Sequence, residues 1–475
     1  MDHLEISKQK SHFLELKQSA YEKTFVYNKT FFVGFIYLAL PIALQHLINS
    51  TVALIDVIMI GKLGETQIAA VGISAHIYFV LVMLFFGINN GMSIFMSQFW
   101  GDKDIDNIRK TLGLCLVLNI CIASIFFIFA HFFAECMMSL FSDDKSVIEV
   151  GAQFLTIFSF SYIMSAIIHS YSTALRCIGQ VSLATIASII TILLNCILNY
   201  ILIFGKFGFP SLGIRGSALS TLIAISLELI IILSGIYSKK YIICADIREL
   251  LSFSAGFSKL VIFKTIPVLL SESIWIFGTT MYTLIYSRLG TGYIVSYNVV
   301  RTIEDILVVW GIGIATACGV IVGNLIGAKR EYEAYVYAKK YVILAVTSGI
   351  ATGIILFFNI DLILSFFTIS DEVRSGISKM LILSSFITIP MFFNIIAYTG
   401  IFKAGADINF IVVVNGLAAW GIAIPAAIIG GFIFKLPAEQ VYFLVILEEI
   451  INFLIGLYRF LSKKWINNVI QDMEA

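Results

Sequence analysis

Asp56 stands alone in the apolar run LIDVIMIGKLG. An ionisable side chain in hydrocarbon costs at least ~2.5 kcal/mol on insertion scales, so it reads first as a functional residue. No basic residue lies within a helical turn of it. Its partner must come from another segment, from water or from a bound cation. Asn195 and Asn199 are four residues apart and share one helix face. A carboxylate with amide oxygens suits a hard cation such as Na⁺, and a desolvated carboxylate can instead carry a proton. Thr221 would add a hydroxyl oxygen. The plainer alternative is that these groups only lock two helices together by hydrogen bonds.

Other charges fall inside apolar stretches. Glu272 follows Pro267 by five residues and is a candidate second coupling or substrate-binding carboxylate. Arg301, Glu304 and Asp305 sit at i, i+3 and i+4, where they can neutralise one another on one face or turn toward a substrate. Glu448 and Glu449 point about 100° apart on a helix, so at least one faces the interior. Pro41 and Pro267 each remove a backbone hydrogen bond and allow their helices to bend. Aromatic residues including Phe86, Trp275 and Trp310 offer faces for flat organic cations. His46, His76, His131 and His169 are scattered and read as packing residues.

These residues need elements to hold them, and composition limits what those are. The chain has 475 residues, 59% hydrophobic and 13% charged, with a mean hydropathy of +0.96. Soluble proteins carry roughly 25% charged residues, so this chain cannot cover a water-facing globule. A net charge of +1 gives no basic face for nucleic acid. The seven cysteines (115, 121, 136, 177, 196, 244 and 318) form no C-x-x-C pair and read as reduced packing residues. Residues 1–30 lack the apolar core of a signal peptide and read as a cytoplasmic segment.

About 20 apolar residues cross a bilayer as a helix. Twelve stretches qualify, near 33–60, 67–96, 111–134, 151–174, 181–204, 214–237, 260–287, 293–326, 340–359, 378–402, 408–432 and 438–460. With the N-terminus inside, cytoplasmic segments hold 21 Lys and Arg against 8 outside, so both termini are expected in the cytoplasm. The halves align without gaps at an offset of 226. Pro41 falls on Pro267, Leu63-Gly64 on Leu289-Gly290 and Gly101 on Gly327. The ALRCIG run around Arg176 pairs with IFKAGA around Lys403 at offset 227. The expected fold is an all-α membrane protein of two six-helix bundles (31–237 and 260–461), related by a pseudo-twofold along the membrane normal. A polar linker (238–259) joins them and a cytoplasmic tail (462–475) follows. Such paired bundles suit alternating access around a central cleft.

The run LPIALQHLINSTVALIDVIMIGKLG, then YSTALRCIGQ, then LLNCILNYILIFGKFGFPSLGIRGSALST, with RLGTGYIVSYNVV and GIFKAGAD in the second half, resembles the multidrug and toxic compound extrusion (MATE) family over nearly the whole chain. The resemblance implies a polyspecific exporter of amphiphilic, cationic organic compounds, driven by Na⁺ or H⁺, with no other cofactor. It makes Asp56 the coupling carboxylate of the first bundle and Asn195 its partner from the fifth span. Asn199 departs from the family pattern, in which many members carry Asp. Some members also use carboxylates in the seventh and tenth spans. Here the tenth span reads Phe392, Phe393, Asn394, with no acid, so coupling is expected in the first bundle.

A monomer in the cell membrane is expected, with the bilayer and a small-molecule substrate as partners. Two rivals remain at this stage. A lipid-linked precursor flippase of the same superfamily would need more basic residues well inside the spans than Lys264 and Arg301. A membrane-embedded enzyme would need a motif such as H-E-x-x-H or G-x-x-x-x-G-K-[ST], and neither occurs.

Overall fold

The computed structural model describes residues 59–365 and 370–470. Asp56 and Pro41, with nearly all of the expected first span, lie outside the described residues. Every regular element among the described residues is helical. Besides short helices at Ala134–Ser139 and Ile247–Leu250, these are in chain order α1 (Glu65–Asp102), α2 (Ile105–Phe132), α3 (Lys145–Phe158), α4 (Phe160–Cys177), α5 (Val181–Phe204) and α6 (Ile214–Ser238). The second half supplies α7 (Ala255–Leu289), α8 (Thr291–Gly327), α9 (Glu331–Ser365), α10 (Asp371–Asn394), α11 (Ile408–Asn415) and α12 (Ala438–Ser462). A π-helical stretch carries α10 on to Phe402, and two more carry the α11 span to Ile433. Ten of these spans are long and apolar enough to cross a membrane, and the α3–α4 pair makes an eleventh. The chain is an all-α, multi-spanning membrane protein.

The helices differ from the expected spans in two ways. Several are longer: the stretch expected at 340–359 is a helix from Glu331 to Ser365. Hydropathy marks the apolar part of a helix, whereas residues such as EYEAYVYAKK keep good helix propensity beyond it. The expected span 151–174 is also not straight but bent by 48°. At the break the Thr156 carbonyl meets side chains, Ser159 Oγ donating at 3.0 Å and His131 Nδ1 lying at 3.0 Å. Side chains entering the backbone ladder are a standard cause of such a kink.

Exposure on α5 shows which solvent the surface faces. Ile186, Ile190, Leu193, Ile197 and Tyr200 are exposed and recur every three or four residues, forming one stripe. Ser188, Thr191, Asn195 and Asn199 are buried on the opposite side. Polar in and apolar out is the inverse of a soluble amphipathic helix and fits a lipid boundary.

The polar stretch at 238–259 is docked as a strap. Arg109 of α2 donates from Nε to the Ile242 carbonyl (2.9 Å), from Nη2 to the Cys244 carbonyl (3.0 Å) and from Nη1 to Glu249 (3.1 Å). Ile243, Ala245 and Leu250 are buried, so apolar side chains hidden in a polar run hold it down.

Among the described residues the core is divided in three. One cluster joins both halves of the chain, running from Ile88–Phe99 of α1 through Ile314–Ile326 of α8 to Trp465 and Ile470. A second holds only the far part of the second half, with Tyr282, Tyr297, Leu356 and Tyr442. A third holds only the far part of the first half, with Ala70, Leu81, Phe85 and Tyr162. The halves are therefore packed together at the end near residues 101 and 327, and each keeps its own core at the other.

Glycines make the joined end close. A Cβ on Gly101 would meet the Asn324 carbonyl oxygen at 1.9 Å, and one on Gly327 would meet the Gln98 carbonyl oxygen at 1.8 Å. The contact is reciprocal under the repeat, since offset 226 carries 98 onto 324 and 101 onto 327. Gly87 and Gly91 of α1 likewise admit Leu269 and Thr265 of α7. The segment after α12 crosses this seam. Gln98 donates to the carbonyls of Ala404 (2.9 Å) and Asn467 (3.2 Å) and accepts the Val469 N–H (2.8 Å).

Candidate functional site

The structure brings three of the expected residues together in the first half. Asn195 of α5 donates to Thr221 Oγ1 of α6 at 3.1 Å, and Asn199 donates to Asn195 Oδ1 at 3.2 Å. Thr221 in turn donates back to the Ser217 carbonyl at 3.1 Å. Asn195 and Asn199 are buried, so a chain of amide and hydroxyl dipoles runs between the two helices. Asp56, the carboxylate expected beside them, lies outside the described residues.

The second half holds a denser group of acids. Glu304 of α8 is buried and accepts a hydrogen bond from Ser384 Oγ of α10 (2.9 Å) and another from the Tyr442 hydroxyl of α12. Ser384 Oγ and the Tyr442 hydroxyl are 2.7 Å apart, which closes a three-helix triangle. Arg301 lies 3.9 Å from Glu304 and 3.3 Å from Asp305. Glu448 accepts from the Tyr282 hydroxyl at 2.5 Å, and Glu449 accepts from Asn394 Nδ2 at 2.7 Å. A cavity of about 70 Å³ is lined by Arg301, Glu304, Glu448 and Glu449, with Trp275 and Tyr297 among the aromatic walls. One guanidinium faces three carboxylates there, so with all of them charged the cavity favours a cation or a proton. Asp305 is not among its lining residues and its side chain is 58% exposed.

Glu272 sits apart from both groups, where the halves meet. Lys403, at the end of the α10 span, donates to its Oε1 at 2.8 Å, and Asn90 of α1 donates to the same oxygen at 3.1 Å. Both charged side chains are largely buried. Lys403 also lies 6.0 Å from the centroid of the Phe86 ring, so that ring faces the seam. The aromatic residues thus separate: Phe85, Phe392 and Phe393 are fully buried packing, while Phe79, Phe86 and Trp275 are exposed.

Sequence reasoning undervalued two residues. Arg176 and Lys403 are two of the 21 positive charges expected in cytoplasmic segments, and α4 and the π-helical end of the α10 span carry both to one cavity between the halves. The signal was present in the pairing of ALRCIG with IFKAGA.

The MatE family model matches residues 41–201 and again 267–429, which together make over half of the chain. The chain belongs to the multidrug and toxic compound extrusion (MATE) family. The two matches begin at Pro41 and Pro267, the same offset of 226 at which the halves align. As a MATE protein it is a secondary active transporter of antiporter type for organic substrates, and not an enzyme.

Among its relatives is the uncharacterized transporter YisQ of Bacillus subtilis (strain 168), 23% identical over 95% of this chain and 99% of that protein. The probable multidrug resistance protein NorM of Bacillus cereus is 24% identical over 82% of this chain and 86% of its own. Among solved structures, the Vibrio cholerae MATE transporter VcmN in its bent form superposes with a TM-score of 0.80 at 16% identity, covering 90% and 96% of the two chains. An outward-facing multidrug resistance MATE transporter superposes with a TM-score of 0.79 at 17% identity, covering 91% and 96%. These likenesses carry the fold.

Proposed function

We propose that this MATE protein exports amphiphilic, cationic organic molecules in exchange for Na⁺ or H⁺, as a monomer, with both termini in the cytoplasm. Its twelve spans form two six-helix bundles (31–237 and 260–461) related by a pseudo-twofold along the membrane normal. The reciprocal contact of Gly101 and Gly327 supports that symmetry. In this reading the joined end is the cytoplasmic gate, and the separately cored ends open outward.

The observation that carries the reading is the divided core. Two bundles joined at one end, one with a buried amide cluster and the other with an acid-lined cavity, are one half of an alternating-access cycle. Coupling is assigned to Asp56 with Asn195, Asn199 and Thr221, where Na⁺ or a proton would bind. The repeat supports this. Offset 226 carries Asp56 onto Tyr282, whose hydroxyl reaches Glu448 of α12, and the same offset carries α6, the helix of Thr221, onto α12. Cation binding at Asp56 would bend the first span about Pro41 and favour substrate release. The ion drives export only by binding the two states with different affinity. The acids around Arg301 would hold the cationic end of a substrate or a second cation.

Efflux of a cationic dye from proteoliposomes, with Na⁺ and pH gradients imposed separately, tests the reading. Native protein should respond to one gradient, and Asp56→Asn should lose that response while still binding dye. Gradient-driven efflux by Asp56→Asn at the native rate rejects the assignment.

A further inference from the structure

Arg176 poses a problem of charge that the transport scheme does not absorb. It lines a cavity of about 70 Å³ between the two halves, together with Asn90, Ser93 and Thr173 from the first half and Thr316 and Lys403 from the second. A guanidinium stays charged at any pH a protein survives. Its one hydrogen bond to a side chain runs from Nη2 to Thr173 Oγ1 at 2.8 Å, and among the described residues no carboxylate lies within ion-pair distance of it. Lys403 is already matched by Glu272 at 2.8 Å. Two cations, one from each half, thus face one small space, and the carboxylate paired with Lys403 is not among the residues that line it. Packing the halves together brings the like charges into that space, which works against the packing unless the second charge is also met.

Thr173 offers that charge one neutral hydroxyl oxygen and no anion. Of the other hydroxyls on the wall, Ser93 donates to the Asn90 carbonyl at 2.8 Å and Thr316 to the Ile312 carbonyl at 2.9 Å, so both are turned back onto their own helices. What remains is a planar fork of N–H groups beside an ammonium, an arrangement that binds carboxylate and phosphate oxygens. A water needs about 10–15 Å³ of such space, so the cavity has room for a group of three or four oxygens.

We propose that this cavity binds an anionic group, a carboxylate or a phosphate, between Arg176 and Lys403, and that the bound anion holds the joined end shut. The site is distinct from the acid-lined cavity of the second half and from the Asn195 cluster. It does not depend on which ion drives transport. The group comes either from a small dissolved anion or from the headgroup of an acidic lipid.

The test uses the full chain in nanodiscs. One arm adds inorganic phosphate to phosphatidylcholine discs at matched ionic strength, and the other replaces part of the phosphatidylcholine with phosphatidylglycerol. The melting temperature should rise saturably with phosphate if a dissolved anion is the ligand, and with phosphatidylglycerol if a headgroup is. Arg176→Gln should need at least tenfold more of the same anion for half the rise, and Arg176→Lys should lose less. Gly319→Ala is a second variant that leaves both charges alone. A Cβ at Gly319, which lines the cavity, would lie 3.6 Å from the Gly400 carbonyl oxygen, an ordinary contact, so the added methyl takes space without displacing backbone and should raise the anion concentration for half the rise. No rise in either arm overturns the proposal, and so does an unchanged half-saturation in Arg176→Gln or Gly319→Ala.

Discussion

Lys403 and Glu272 illustrate what a single interior charge pair costs and holds. The two are 131 positions apart in the chain and meet at 2.8 Å with most of their surface hidden. Removing one partner of a buried pair leaves the other uncompensated, which costs about 3–5 kcal/mol when burial is complete. With side-chain exposures of 12% and 17%, Lys403→Met should cost up to about 3 kcal/mol in chemical or thermal unfolding. Glu272→Gln in the same chain should return most of it. A double variant no more stable than Lys403→Met alone would mean that the pair does not act as a unit. The carboxylate at 272 stands out in the sequence as an acid after a proline, but its partner does not. Lys403 lies at the end of an apolar run, where a positive charge reads equally well as a loop residue. Nothing local says that α7 and the α10 span converge there.

At the scale of elements, the contact between α1 and α8 depends on missing side chains rather than on present ones. Gly101 and Gly327 each face a backbone carbonyl of the opposite helix, and a carbonyl cannot swing aside as a side chain can. Gly101→Ala should therefore force the helices apart and shift the population away from the joined state. Spin labels placed on α1 and α8 beside the seam would read this as a lengthened distance, whereas unchanged distances would show that the helices slide to make room. The importance of these glycines was legible because offset 226 pairs them. So were the long apolar runs, since a bilayer demands them. The bend at Ser159 and the π-helical continuation after Pro390 were not legible, because they depend on how carbonyls freed in one helix are met by neighbours such as His131. The docking of the linker at 238–259 was not legible for the same reason: its few apolar residues find a surface on α2 that hydropathy does not report.

At the scale of the molecule, the described residues of the two halves share one core and own two. Each far end can move as a block without repacking itself, so the strain of a conformational change falls on the shared core and on the α1–α8 seam. The pairing of the halves was foreseeable from the repeat. The division of the core was not, since it belongs to one conformational state and a sequence encodes every state at once.

In the proposed outward-open state the separately cored ends splay apart, and such a body is a wedge, broad in one leaflet and narrow in the other. Work against lateral pressure therefore enters its energetics, and the two leaflets act on it with opposite sign. Lysolipid added only to the leaflet holding the splayed end should squeeze that end and favour the reverse tilt, while the same lipid in the opposite leaflet should do the contrary. Label-to-label distances across the splayed end, recorded in asymmetric vesicles, would reveal it, and equal distances in the two cases would mean that the membrane bears no part of the cost.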